Sequence, residues 1–92
     1  MKFSIITVVK NDKNNILKTI NSVKNQNYKN FEHIIIDGSS TDGTTEIIKK
    51  NLRKNKDYKH IIKKDKNLYD ALNYGLKISK GECIGILHSG DI

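Results

Sequence analysis

The sequence contains no proline and a single cysteine. Cys83 therefore has no partner for an internal disulfide; lying inside an expected strand, it reads as a small buried hydrophobe and fits a reducing, cytoplasmic setting. No stretch approaches the ~20 apolar residues that span a bilayer. The amino terminus, MKFSIITVVKND, places one lysine ahead of a short apolar run with no small-residue cleavage site, so it reads as a first strand rather than a signal peptide. There is no GxxxxGK phosphate loop and no GxGxxG after that strand, which leaves nucleotide binding of the ATPase or dinucleotide type unsupported. No His or Cys pair has zinc spacing, and no serine sits in a nucleophile elbow. Internal repeats, low-complexity linkers and domain boundaries are also missing, so residues 1–92 are expected to form one domain, the front part of a larger one.

Acidic residues are scarce beside basic ones, 10 against 17, giving a net charge of +7. Lysines cluster from Lys49 to Lys66, where they could attract nucleic acid, anionic lipid headgroups or a phosphorylated ligand, or simply form a solvated face. The cluster lacks the aromatic interleaving of single-strand binders, which argues against nucleic acid. Eleven asparagines accompany the missing prolines, and such a lysine/asparagine bias would raise the charge without any functional demand. Hydrophobic content is only 36%, but it is concentrated in short runs, as in a globular chain with a modest core.

The runs alternate in type. FSIITVV, Phe3 to Val9, is a first strand, stopped by Lys10-Asn11-Asp12. From about Lys13, the spacing of Ile16, Leu17, Ile20 and Val23 predicts a helix, after which Tyr28 and Phe31 are expected to pack on the sheet. His33 to Ile36 is a second strand with no polar alternation, as in a parallel sheet buried on both faces. A helix follows from Thr41 or Asp42, with a thin stripe of Ile47, Ile48 and Leu52. Lys59 to Lys63 is a third strand. Leu68 to Ser79 is a third helix, whose stripe includes Ala71, Leu72, Gly75 and Leu76 and whose small residues permit close approach to the sheet. Gly81 is expected to terminate it, and Glu82 to Leu87 is a fourth strand. The order β-α-β-α-β-α-β with right-handed crossovers implies an α/β fold with a Rossmann-like parallel sheet.

Parallel topology gathers the strand ends on one edge: Thr7 to Asn11, Asp37, Lys64-Asp65 and His88 to Asp91. Ligands of open α/β sheets bind in the crevice beyond that edge. Two aspartates with hydroxyls and an asparagine suit a nucleoside with a divalent cation, which wants oxygen ligands. The alternative is that Asp37 caps its turn or the next helix. His33 and His60 precede isoleucine runs and read as structural. Residue chemistry alone stops at a nucleotide- or metal-binding α/β half-domain.

Three stretches together resemble the donor-binding half of a family-2 glycosyltransferase with the GT-A fold. SIITVVKND is similar to that family's first strand and base-binding turn. TINSVKNQNYKNFEHIIIDGSSTDGT is similar to its first helix and Asp-containing turn. DKNLYDALNYGLKISKGECIGILHSGD resembles its D-x-G-I-Y-D-A-M-N-x-G segment and the approach to a metal-binding aspartate. The likeness covers nearly the whole chain.

The resemblance implies transfer of a sugar from a nucleotide-diphosphate donor, a UDP-sugar in many relatives, to an acceptor hydroxyl in polysaccharide or glycoconjugate synthesis. Thr7, Val8 and Asn11 would line the nucleoside pocket, Asp37 would accept from the base, and Asp65 would lie beside base or ribose. Asp70 and Asn73 would support the pocket or the sugar. Asp91 would hold Mn²⁺ or Mg²⁺ at the diphosphate, and Asp42 would cap its helix. Gly90, Asn67 and Tyr74 depart from the family's frequent residues. The acceptor site and general base lie after the metal-binding motif in such enzymes, so the 92 residues are expected to be inactive alone, with no catalytic residue among them, and to self-associate or be marginally stable. The expected partners are the donor and a saccharide or lipid-linked acceptor, with peripheral contact to an anionic membrane surface and no nucleic acid. A non-catalytic nucleotide-diphosphate-binding module is the alternative.

Overall fold

A computed structural model describes residues 2–25, 30–52, 57–64 and 68–87. Strands and helices alternate: β1 (Phe3–Val9), α1 (Ile16–Lys24), β2 (Phe31–Asp37), α2 (Thr44–Leu52), β3 (Tyr58–Ile62), α3 (Leu68–Ile78) and β4 (Cys83–Ile86). All strand pairs are parallel, in the order β3-β2-β1-β4. Each helix carries the chain back across the sheet, as parallel pairing requires. This is the expected α/β architecture.

The two inner strands are buried from Ser4 to Val9 and from Glu32 to Asp37, which accounts for their lack of a solvated polar face; their polar members Ser4, Thr7, Glu32, His33 and Asp37 are buried too. On one face, Val9 and Ile35 pack against Ile16 and Ile20 of α1, Ile48 and Leu52 of α2, and Tyr58. On the other, Ile6, Val8, Ile34 and Ile36 meet Ala71 of α3. The third helix lies close because Gly75 has no side chain: a Cβ there would stand 2.7 Å from Ile6 Cγ2 and 2.9 Å from Ile36 Cδ1.

Four expectations change. Leu17 and Leu76 are 39% and 38% exposed rather than part of their helices' inner stripes. Thr19 is buried in α1 instead, its hydroxyl donating to the Asn15 carbonyl at 3.3 Å, while Tyr74 and Ile78 of α3 pack on the core. Gly81 does not end α3 in a left-handed conformation; a Cβ there would strike the Ser4 amide and hydroxyl, so its role is close approach to β1. Cys83 is only half-buried, because β4 is an edge strand. Ile84 and Ile86, level with Ser4 and Ile6, are 46% and 49% exposed. They continue the face that α3 covers over β1 and β2. Tyr28 lies outside the described residues, and Phe31 opens β2 and meets Tyr58 edge to face at 5.9 Å. Among the described residues, no helix is long and apolar enough to cross a membrane.

Candidate functional site

Val9 and Asp37 are the last register partners of β1 and β2. Beyond them the Gly38 amide still donates to the Val9 carbonyl at 2.9 Å, and the Lys63 amide to the Asp37 carbonyl at 2.8 Å. On the other side of β1, the Leu87 amide donates to the Ile6 carbonyl at 2.9 Å. The carboxyl ends of all four strands thus share one edge, where the chain turns into its helices.

The two turns at this edge are tied together. The Asn11 amide donates to Ser40 Oγ at 2.9 Å, and Asn11 Oδ1 accepts from the Thr41 amide at 2.7 Å. Next along, the Asp12 amide donates to Thr44 Oγ1 at 2.9 Å and the Lys13 amide to Asp42 Oδ2 at 3.2 Å. These bonds require sharp local turns: Asn11 and Ser39 have φ of 52° and 61°, a region asparagine enters more readily than most residues. The other oxygen of Asp42 accepts from the Thr44 amide at 3.0 Å and the Thr44 hydroxyl at 2.5 Å. Asp42 therefore caps α2, as expected, and the Thr44 bonds hold its carboxyl below the usual range.

The expected site residues divide between the two faces of the sheet. Thr7 and Asp37 point toward α1 and α2. Thr7 is fully buried, its hydroxyl 2.8 Å from His33 Nε2, so its side chain braces the strand and does not reach the crevice. Asp37 is also fully buried. Its Oδ1 accepts from the Ser40 amide at 2.9 Å and the Ser40 hydroxyl at 2.6 Å, and its Oδ2 accepts from the Thr45 hydroxyl. In this structure the carboxylate grips its own turn and the start of α2, so the turn's backbone and not the carboxylate faces the crevice. Burial works to raise its pKa, but the Ser40 and Thr45 bonds and His60 outweigh that and hold it low.

Val8 faces the α3 side with the core there, and Asn11 is exposed at the joint between the turns. Asp70 and Asn73 meet along α3, where they line a shallow groove of about 360 Å³ with Lys63, Tyr74 and Lys77. The Lys63 ammonium lies 4.2 Å from the centre of the Tyr74 ring, a cation–π contact that fixes a positive charge at the groove. Asp65 and Asp91 lie outside the described residues. No group of three or more His, Cys, Asp or Glu able to hold a metal occurs among the described residues, so the metal reading rests on Asp91.

Sequence reasoning missed the hydroxyls that make the turn rigid, Ser40, Thr44 and Thr45, although five hydroxyl residues from Ser39 to Thr45 were the available signal. It also missed His60 as a neighbour of Asp37, its Nε2 3.7 Å from Oδ2. Burial lowers the His60 pKa, Asp37 opposes the change, and Lys49 adds to it. Chemically, the edge offers a braced turn of backbone amides and hydroxyls, and on the α3 face a carboxylate, an amide and two lysines line the groove. That is a frame for holding a polar, anionic ligand.

Comparison with known proteins agrees with this frame. The model of "Glycosyl transferase family 2" matches residues 4–91. The chain is 44% identical over 91 residues to the Escherichia coli UDP-Glc:alpha-D-GlcNAc-diphosphoundecaprenol beta-1,3-glucosyltransferase WfaP, covering 96% of this chain and 35% of that protein. S. aureus TarS 1-349 in complex with UDP-GlcNAc superposes with a TM-score of 0.86 at 28% identity, over 98% of this chain and 27% of its own. The mannosyltransferase PcManGT of Pyrobaculum calidifontis, in complex with GDP-Man and Mn²⁺, shares the fold with a TM-score of 0.87 at 22% identity, over 96% and 27%. The chain spans 13% to 35% of the length of the curated relatives it matches. With its parallel sheet, its braced edge and a family match over nearly all its residues, the chain belongs to glycosyl transferase family 2 and has the GT-A fold.

Proposed function

We infer that this chain forms the donor-binding part of a glycosyltransferase that moves a sugar from a nucleotide diphosphate, a UDP-sugar, to an acceptor hydroxyl in polysaccharide or glycoconjugate synthesis. The observation that carries this reading is the bonding of the Asn11 turn to the Ser40–Thr44 turn at the carboxyl edge; Asp70 and Asn73 line a groove on the α3 face. Asn11 and Asp65 contribute to the nucleoside pocket, Val8 through its backbone, and Asp70 and Asn73 support the pocket or the sugar. Thr7 and Asp37 act through the backbone they hold in place. Asp91 is the ligand for Mn²⁺ or Mg²⁺, an ion that, when bound, neutralises charge on the leaving diphosphate. The acceptor is a saccharide or a lipid-linked saccharide. Support for the donor class comes from TarS, solved with UDP-GlcNAc, and from WfaP, named for UDP-Glc. Support for the metal comes from PcManGT with Mn²⁺. We place the reaction in the cytoplasm, where a half-buried thiol such as Cys83 stays reduced.

Calorimetric titration of UDP with and without Mn²⁺, on the wild type and on Asp91→Asn, tests the reading. Manganese should tighten UDP binding in the wild type only, while the metal-independent part persists in the variant. A folded wild type that binds no UDP would overturn the reading, and equal manganese enhancement in both proteins would remove Asp91 from the site.

A further inference from the structure

Among the described residues, the lysines anticipated as a cluster between Lys49 and Lys66 do not form one surface. Lys59 pairs with Glu32 at 3.2 Å, and Lys63 lies over Tyr74 on the α3 side. A different set of lysines comes together in space. Lys13 and Lys18, on the approach to α1 and within it, and Lys50 of α2 line a groove of about 610 Å³ along the seam of the two helices. The remaining lining is Leu17, Ile47 and three asparagines, with no carboxylate among them. Leu17 is 39% exposed, although its neighbour Ile16 is fully buried, so an apolar side chain projects from the helix layer among cationic ones. The groove starts at Lys13, whose amide bonds Asp42 in the braced turns of the candidate site.

We propose that this α1–α2 face docks on an anionic lipid bilayer, the lysines taking the headgroup charge and Leu17 entering the interface. The charge argument is direct: three cations line the groove and its lining holds no carboxylate, Asp42 standing only at its Lys13 end. On a chain of net charge +7, the face complements a negative surface. The apolar member argues for a bilayer over nucleic acid, because an interfacial site buries apolar side chains beside basic ones. A strand of nucleic acid would instead want stacking aromatics, and none lines the groove. Docking here would set the candidate donor crevice at the membrane's edge.

Co-sedimentation with vesicles, without nucleotide, tests this independently of the donor reading. The protein should bind phosphatidylglycerol/phosphatidylcholine vesicles and not pure phosphatidylcholine, with affinity falling as salt rises. One basic residue at an anionic surface is worth about fivefold in partitioning, so Lys18→Glu/Lys50→Glu should lower binding by about 25-fold or more. Leu17→Ser should weaken binding at all salt concentrations. Lys2→Glu/Lys80→Glu, with the same change in net charge away from both grooves, should have a much smaller effect. Circular dichroism melting of each variant confirms that loss of binding is not loss of fold. Equal binding to neutral vesicles, equal loss in the two charge-reversed pairs, or tighter capture of a single-stranded RNA through Lys18 and Lys50 would overturn the proposal.

Discussion

His60 Nε2 stands 3.7 Å from Asp37 Oδ2, inside the layer between sheet and α2. The pair links β3 to the acid that holds the turn at the end of β2, since Asp37 also grips Ser40 and Thr45. Burial keeps His60 on the neutral side, and no hydrogen bond satisfies its Nε2. A proton on His60 would compete with Thr45 for the same carboxylate oxygen. The edge that frames the candidate site is therefore built on groups that titrate.

Stability should fall in acid through two successive windows. His33 is fully buried, and burial lowers its pKa from 6.5 to about 4. Its stabilising contribution is complete above pH 6.5 and is lost as pH falls toward 4, because the unfolded chain takes the proton first. The loss is on the order of 3 kcal/mol, and His60, shifted in the same direction, adds to it. For Glu32, burial works to raise the pKa, but bonds from Ser4, Lys80 and Lys59 bring it down from 4.5 to about 2. Its contribution is complete above pH 4.5 and lost as pH falls toward 2. Urea melts across pH 7 to 3 should show the first slope reduced by about one proton in His33→Asn. An unchanged slope would remove His33 as its source.

Asp37→Ala should cost about 1–3 kcal/mol in stability, since it strips the Ser40 amide and the Ser40 and Thr45 hydroxyls of their acceptor. UDP affinity should fall by a similar amount as the turn loses its brace. Asp37→Asn, which keeps one carbonyl acceptor, should lose less of both. Denaturant unfolding and UDP titration measure the two effects. A stable variant with weakened UDP binding would instead give the carboxylate a direct contact with the ligand.

Strand and helix order was legible because the apolar runs carry the periods of their elements, and Ile34–Ile36 leave no room for a solvated face. The direction of Asp37 was readable in part, since alternation puts it on the same face as Ile35 and Val9. Which helix layer covers that face depends on how α1, α2 and α3 distribute about the sheet, and no local pattern states that. Leu17 illustrates the same limit. Helical spacing admits it to a wide stripe, but burial selects Ile16, Thr19, Ile20 and Val23 and leaves Leu17 at the seam with α2. Cys83 was misplaced because a run such as ECIGIL reads as buried, whereas the topology puts β4 at an edge. The lysine groove was illegible for a related reason, since Lys13 and Lys18 come from α1 and the turn before it and Lys50 from α2.

The uncovered apolar residues of β4 should make the 92-residue chain self-associate. Ile84 and Ile86 are 46% and 49% exposed on one face of an edge strand, a template for pairing or stacking with another copy. Ile84→Thr/Ile86→Thr keeps strand propensity and lowers apolar exposure. Sedimentation velocity should show the weight-average mass of the wild type rising with concentration and the variant staying closer to monomer. A monodisperse wild-type monomer across that range would contradict the expectation.

The closeness of α3 to the sheet yields the last prediction. Gly75 faces Ile6 and Ile36, and an added Cβ would stand 2.7 Å from Ile6 Cγ2 and 2.9 Å from Ile36 Cδ1. On an exposed helix surface, Gly→Ala would gain roughly 0.5–1 kcal/mol from reduced backbone freedom. Here overpacking should reverse the sign, costing about 1–3 kcal/mol as α3 is pushed outward or the isoleucines leave their rotamers. The α3 groove carrying Asp70 and Asn73 would move with the helix, so UDP affinity should fall together with stability. Ile36→Val removes the Cδ1 atom that the new methyl strikes, and the double variant Gly75→Ala/Ile36→Val should recover part of both losses. Thermal melts of the two single variants and the double variant give the coupling. Additive losses would show that the new methyl is accommodated elsewhere and that Gly75 is not what sets the distance between α3 and the sheet.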